Sequence, residues 1–169
     1  MMNFDLTQKV TGNPTTGEYA VRFDPTLVVN NGDYQKVTQG VYYSEKTNKF
    51  MFQFRIVEGD FYNKTFRIWI KGSDNAEETA RLESKGLNSL FNTVAEQLGV
   101  YGETKARLLG LMTINTIKFY HYYEINEVNG EKRVFERWNW YLPSTAIYTK
   151  VSEQDIEEHA QAVEEIIEG

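Results

Sequence analysis

The sequence predicts a mainly β domain: a five-stranded barrel with a helix between its third and fourth strands, followed by an acidic helical tail. Three observations carry this expectation. Apolar and aromatic residues alternate with polar ones in five separate stretches, the period of a strand with one buried face. Between the third and fourth of these, the spacing changes to that of an amphipathic helix. The acids then crowd into the last residues of the chain.

Residues 17–30 open the series, with Tyr19, Val21 and Phe23 alternating with Ala20, Arg22 and Asp24. Pro25 has no N–H to give a ladder, so it marks an edge, bend or bulge. Residues 31–48 read as a long loop containing Asn31-Gly32, Gly40 and Tyr42-Tyr43. Loops of that length in a compact domain tend to be functional or mobile. Residues 50–58 are the clearest strand, with Phe50, Phe52, Phe54 and Ile56 on one face. Gly59-Asp60 turns the chain into residues 64–71, where Phe66, Ile68 and Ile70 share a face, making a hairpin.

Asp74 and Glu77 have the spacing of a capping box and predict a helix start. Leu87, Leu90, Phe91, Val94 and Leu98 form its apolar stripe, and Gly99 is placed to end it. A further helical turn fits residues 104–109. Residues 112–125 and 132–142 read as the last two strands, joined through Asn129-Gly130. Pro143 stops the second of them. Within residues 152–168, Ile156, Ala160, Val163 and Ile167 form a narrow apolar stripe among acids, as in a surface helix. The expected organisation is an arm (1–16), a barrel (17–143), and a linker with the acidic tail (144–169).

Three strands, a helix and two more strands is the order of the oligonucleotide-binding (OB) barrel. That fold holds oligonucleotides or oligosaccharides on strands 2 and 3 and on the loops between strands 1–2 and 4–5. Another small mixed barrel or an α+β sheet is the alternative.

Composition narrows the function. The chain has 169 residues, 14% of them aromatic, which suits a β-rich core. It has no cysteine, so disulfides and thiolate metal sites are excluded. No run of about 18 apolar residues is present to span a membrane. Residues 1–10 lack an apolar core of the kind that marks a secretory signal, and a reducing cytoplasm is expected. The net charge of -6 is unevenly spread. Residues 151–169 hold seven acids and no Lys or Arg, which leaves 17 acids against 18 bases in residues 1–150. The body is near neutral and the tail carries the acidity.

With the apolar rows inside, the second strand turns Met51, Gln53 and Arg55 outward and the third turns out Arg67, Trp69 and Lys71. A tryptophan between two cations fits a base-stacking platform beside phosphate-pairing charges. The plainer reading has Trp69 packed under the loop or tail, with snorkelling neighbours. On the fourth strand Lys118, Tyr120 and Tyr122 repeat the mixture, while Ile117, Phe119, His121, Tyr123 and Ile125 belong to the core. Tyr34, Lys36, Tyr42, Tyr43 and Lys46 in the long loop either clamp a strand or anchor the loop. Trp138 and Trp140 read as packing residues at the barrel closure, with ligand stacking as the second reading.

Catalytic motifs are missing. No phosphate-cradling loop or dinucleotide fingerprint occurs. His121 and His159 stand in unrelated settings, and the carboxylates lack metal-ligand spacing. The expectation is a binding protein without catalytic residues, metal or cofactor. Glu153, Asp155, Ile156, Glu157, Glu158, Val163, Glu164, Glu165 and Ile167 form a tail that either solubilises and docks on the barrel or contacts partners and competes with DNA.

Gly17, Tyr19 and Val21, then Ile56-Val57-Glu58-Gly59 and Tyr62-Asn63-Lys64, then the capped helix ending in Leu98-Gly99, form a recurring pattern over residues 17–143. It resembles a family of small bacteriophage replication and recombination proteins with an OB fold. The resemblance implies sequence-tolerant binding of single-stranded DNA in the host cytoplasm, with replication or recombination proteins as tail partners and self-association left open. The tail departs from the family pattern, ending Ile166-Ile167-Glu168-Gly169 where a terminal Phe is usual. Competing readings are a protein-interaction adaptor of the replication machinery and a structural virion β-barrel.

Overall fold

Seven strands and three helices build residues 14–142, the part of the chain that the computed structural model describes. They are β1 (Gly17–Phe23), β2 (Gln35–Thr38), β3 (Val41–Ser44), β4 (Lys49–Ile56), β5 (Thr65–Lys71), α1 (Ala76–Ala80), α2 (Lys85–Leu98), α3 (Lys105–Ile114), β6 (Ile117–Val128) and β7 (Glu131–Asn139). The arm up to residue 13 lies outside the described residues. So do the linker and tail, with Glu153, Asp155, Ile156, Glu157, Glu158, Val163, Glu164, Glu165 and Ile167.

β4 organises the sheet. Along one side it pairs with the whole of β5, from Lys49↔Lys71 to Arg55↔Thr65. Along the other, β3 takes its first half (Val41↔Phe52) and β1 its end (Phe23↔Phe54). β6 continues from β1, and β7 from β6. Every ladder is antiparallel, so β5 and β7 run in the same direction. No ladder joins these two strands. The sheet is therefore open, and the expected closed five-stranded barrel is corrected to seven strands without closure.

The five expected strands appear as β1, β4, β5, β6 and β7. The other two form a hairpin inside the expected loop, turning through Gly40 at φ 82°. A side chain at Gly40 would also meet the Pro25 backbone at 2.6 Å. β1 stops at Phe23, ahead of Asp24-Pro25, and does not run to residue 30. β6 starts at Ile117, because α3 takes the residues expected to begin it. Thr104 caps α3, its hydroxyl accepting from Arg107 N at 3.1 Å, and Met112 is fully buried. The expected single helix is two, capped by Asn75 in place of Asp74 and by Ser84. Gly99 ends α2 in the left-handed conformation, as expected. Asn129 and Gly130, with φ of 54° and 80°, make the expected tight β6–β7 turn.

The inward faces meet in one aromatic core. Phe54, Phe66 and Phe119 pack as a triangle with centroids 4.6–5.8 Å apart, in one cluster with Leu87, Leu90 and Phe91 of α2. Each such side chain contributes about 1.5–3 kcal/mol through burial. Leu27, Tyr42 and Met51 form a second, smaller cluster, with Tyr34 and Trp69 packed against it.

Candidate nucleic-acid interface

Where β5 and β7 approach without a ladder, side chains bridge the gap. The Phe66 and Trp138 rings stack at 3.8 Å between centroids with 9° between planes. Above this stack lies a cleft of about 480 Å³. All three tryptophans of the chain, Trp69, Trp138 and Trp140, line it. Among the described residues its lining also holds four cations, Lys49, Lys64, Arg67 and Arg137, the last paired with Glu124 at 3.3 Å, against one carboxylate, Glu136.

Different elements hold each ring. Trp69 leans from β5 onto the Leu27, Tyr42 and Met51 cluster. The Trp138 indole N–H donates to Glu136 Oε1 at 3.1 Å. That of Trp140, just past β7, donates to Ser89 Oγ of α2 at 2.9 Å. Rings fixed this way need little further ordering when a planar ligand arrives.

Beneath the cleft, His121 is fully buried, with Nε2 2.8 Å from Glu136 Oε1. Burial raises the Glu136 pKa, but the His121 hydrogen bond and charge and the Trp138 N–H outweigh it, so its carboxyl sits below the ordinary value. Asp24 shows the same balance elsewhere. Burial opposes its charge, yet Thr26 N–H and hydroxyl, Gln53 and Arg55 lower its pKa overall. Burial also pushes the Tyr123 hydroxyl well above the usual range.

The cleft gathers three of the residues expected to bind: Arg67, Trp69 and Tyr34. Arg67 is exposed, and its Nε reaches Gln53 Oε1 at 3.4 Å. Other expected residues stand apart. Arg55 is committed to Asp24 at 2.8 Å. Lys71 is exposed, 4.0 Å from Asp74. Lys118 pairs with Glu18 at 3.5 Å on β1, and Tyr120 beside it is half-buried. Tyr122 is buried, its hydroxyl accepting from Asn139 Nδ2, and burial raises its pKa. Tyr42 is buried in the small cluster. Tyr43 packs on Phe50 at 4.7 Å and donates to Asn48 Oδ1 at 2.6 Å. Lys36 is exposed on β2.

Lys49, Lys64 and Arg137 lie outside the binding residues that the sequence predicts, and the sequence favours packing for Trp138 and Trp140. Residue type alone could have flagged them, but only the meeting of β5 and β7 makes them one site. Comparison with protein families, characterised proteins and solved structures gives no match. Among the described residues, no helix is long and apolar enough to cross a membrane.

Proposed function

We propose that the β5–β7 cleft binds single-stranded DNA with little sequence preference, on an OB-like half-open barrel. The gathering of all three tryptophans among four cations carries this reading. Aromatic faces accept any base, and cations along the rim meet the phosphates. Glu136 on the floor repels phosphate, so bases face inward and the backbone lies outward. The strand order supports the fold: without β2 and β3, the sheet runs β5-β4-β1-β6-β7, the path of an OB barrel left open at its closing pair. A role in phage replication or recombination follows from the sequence resemblance alone.

Titrating intrinsic fluorescence with oligo-dT at two salt concentrations tests the proposal. Binding quenches the emission and weakens as salt rises. Trp69→Ala lowers affinity by about 5- to 150-fold, the equivalent of about 1–3 kcal/mol for one lost stack. Absence of quenching and of a gel shift at low salt would overturn it. One observation favours the protein-adaptor reading: among the described residues β2 pairs only with β3, and all four of its residues are exposed, which suits addition of an extended peptide strand.

A further inference from the structure

Both ring nitrogens of the buried His121 have partners. Nδ1 lies 3.1 Å from the Thr15 carbonyl oxygen and Nε2 lies 2.8 Å from Glu136 Oε1. A carbonyl oxygen only accepts, so Nδ1 carries a hydrogen. The Nε2–Oε1 contact holds one more proton, as imidazolium against carboxylate or as carboxylic acid against neutral imidazole. Glu136 Oε1 also accepts the Trp138 indole N–H at 3.1 Å. Histidine and tryptophan thus share one oxygen atom, and their rings lie 4.4 Å apart between centroids.

We infer that His121 and Glu136 are positioning residues for the cleft: the Phe66 stack sets the plane of the Trp138 ring, and the pair fixes how the ring sits within that plane and hence the stacking surface offered to a base. The inference rests on the single-strand reading of the cleft and deepens it. No ladder to β5 confines Trp138, and the Phe66 stack at 3.8 Å holds one face of its ring while leaving the ring free to turn within its own plane. An indole has one N–H, and anchoring that N–H orients the whole ring. Glu136 is anchored in turn by His121, and His121 by the Thr15 carbonyl.

The groups facing this pair come from every neighbouring element. Tyr123 of β6 donates its hydroxyl to the Pro14 carbonyl at 3.2 Å and does not compete for Glu136. Tyr19 of β1 meets the His121 ring edge-on at 6.1 Å. Lys64, ahead of β5, adds a favourable charge. The Glu136 carboxyl lies below its ordinary pKa, so its hold on Trp138 is complete at neutral pH and fades as pH falls through that lowered value.

The test uses the full chain with ¹⁵N-labelled tryptophan, the Trp138 indole signal being assigned by Trp138→Phe. Glu136→Gln and His121→Asn are compared with the parent, each alone and with oligo-dT. In both variants the Trp138 indole proton should move upfield and exchange faster, with Trp69 and Trp140 unmoved. Affinity for oligo-dT should fall about tenfold in His121→Asn, the equivalent of one lost hydrogen bond to a charged group, and less in Glu136→Gln, which also removes a charge that repels phosphate. Should either variant fail to fold, Glu136→Asp is read in its place: it keeps the charge but withdraws the carboxylate from the Trp138 N–H, and the same upfield shift is expected. A Trp138 signal and an affinity that match the parent in the variants that fold would overturn the inference. Should the parent bind no oligo-dT, the single-strand reading falls, while the indole signals still decide what holds the ring.

Discussion

β5 has two unlike sides. Toward β4 it forms seven consecutive residue pairs, with Phe54 facing Phe66 in the core. Toward β7 it has no ladder, and the stacked Phe66 and Trp138 rings bridge the gap. A backbone ladder satisfies its own polar groups and leaves no room for a guest. A bridge of side chains leaves space, and here that space holds the tryptophans and cations. On the proposed reading, stability lies on one side of a single strand and recognition on the other.

Truncation on each side tests this division most strongly. Phe54→Ala, at a fully buried position, should cost about 3–5 kcal/mol in urea unfolding. Trp138→Ala, at a half-buried position in the gap, should cost about half as much. Equal costs would mean that the gap supports the fold as much as the ladder does.

Next in size is the ion pair under the β1–β4 junction. Asp24→Ala strands Gln53 and Arg55 and should cost about 1–3 kcal/mol, toward the lower end because Arg55 keeps some contact with water. The folded-state pKa values of Asp24 and Glu136 lie below their ordinary values of 3.8 and 4.5. Their stabilisation is therefore present above those values and lost as pH falls through the lowered ones. Thermal unfolding followed down to about pH 3 should show a declining midpoint, and the Asp24→Ala variant a shallower decline.

A smaller effect, about 1 kcal/mol, is expected for Ser89→Ala, which removes the hydroxyl that accepts the Trp140 indole N–H. Smallest for stability are Lys49→Ala and Arg67→Ala, each within about 0.5 kcal/mol. Each should nonetheless lower the salt slope of oligo-dT binding by about 1. A slope unchanged in both would place the phosphate path elsewhere.

The sequence disclosed what period and turn chemistry can carry. Phe50 to Ile56 and Phe66 to Ile70 alternate cleanly, and Asn129-Gly130 announces its hairpin. β2 is hidden because Gln35 to Thr38 have no buried face to create a pattern, and β3 because Val41, Tyr42 and Ser44 are buried on both faces, which erases the alternation. The start of β6 was misplaced because the apolar run around Met112 fits a helix or a strand, and the Thr104 cap decided it. The site was legible only in part. Arg67 and Trp69 announce themselves within one strand, whereas Trp138 and Trp140 become neighbours of Trp69 only when parallel strands from distant segments meet. Arg55 shows the converse: its charge was legible, but its commitment to Asp24 was not.

The anchoring of Pro14 and Thr15 bears on where this domain can be cut. Their carbonyl oxygens accept from Tyr123, from His121 and, at 2.7 Å, from the Tyr19 hydroxyl. A shortened chain that begins at Gly17 retains every described strand yet discards both acceptors, leaving a phenol and an imidazole stranded in the interior. The working boundary for expression is thus set by two carbonyls that precede the first strand.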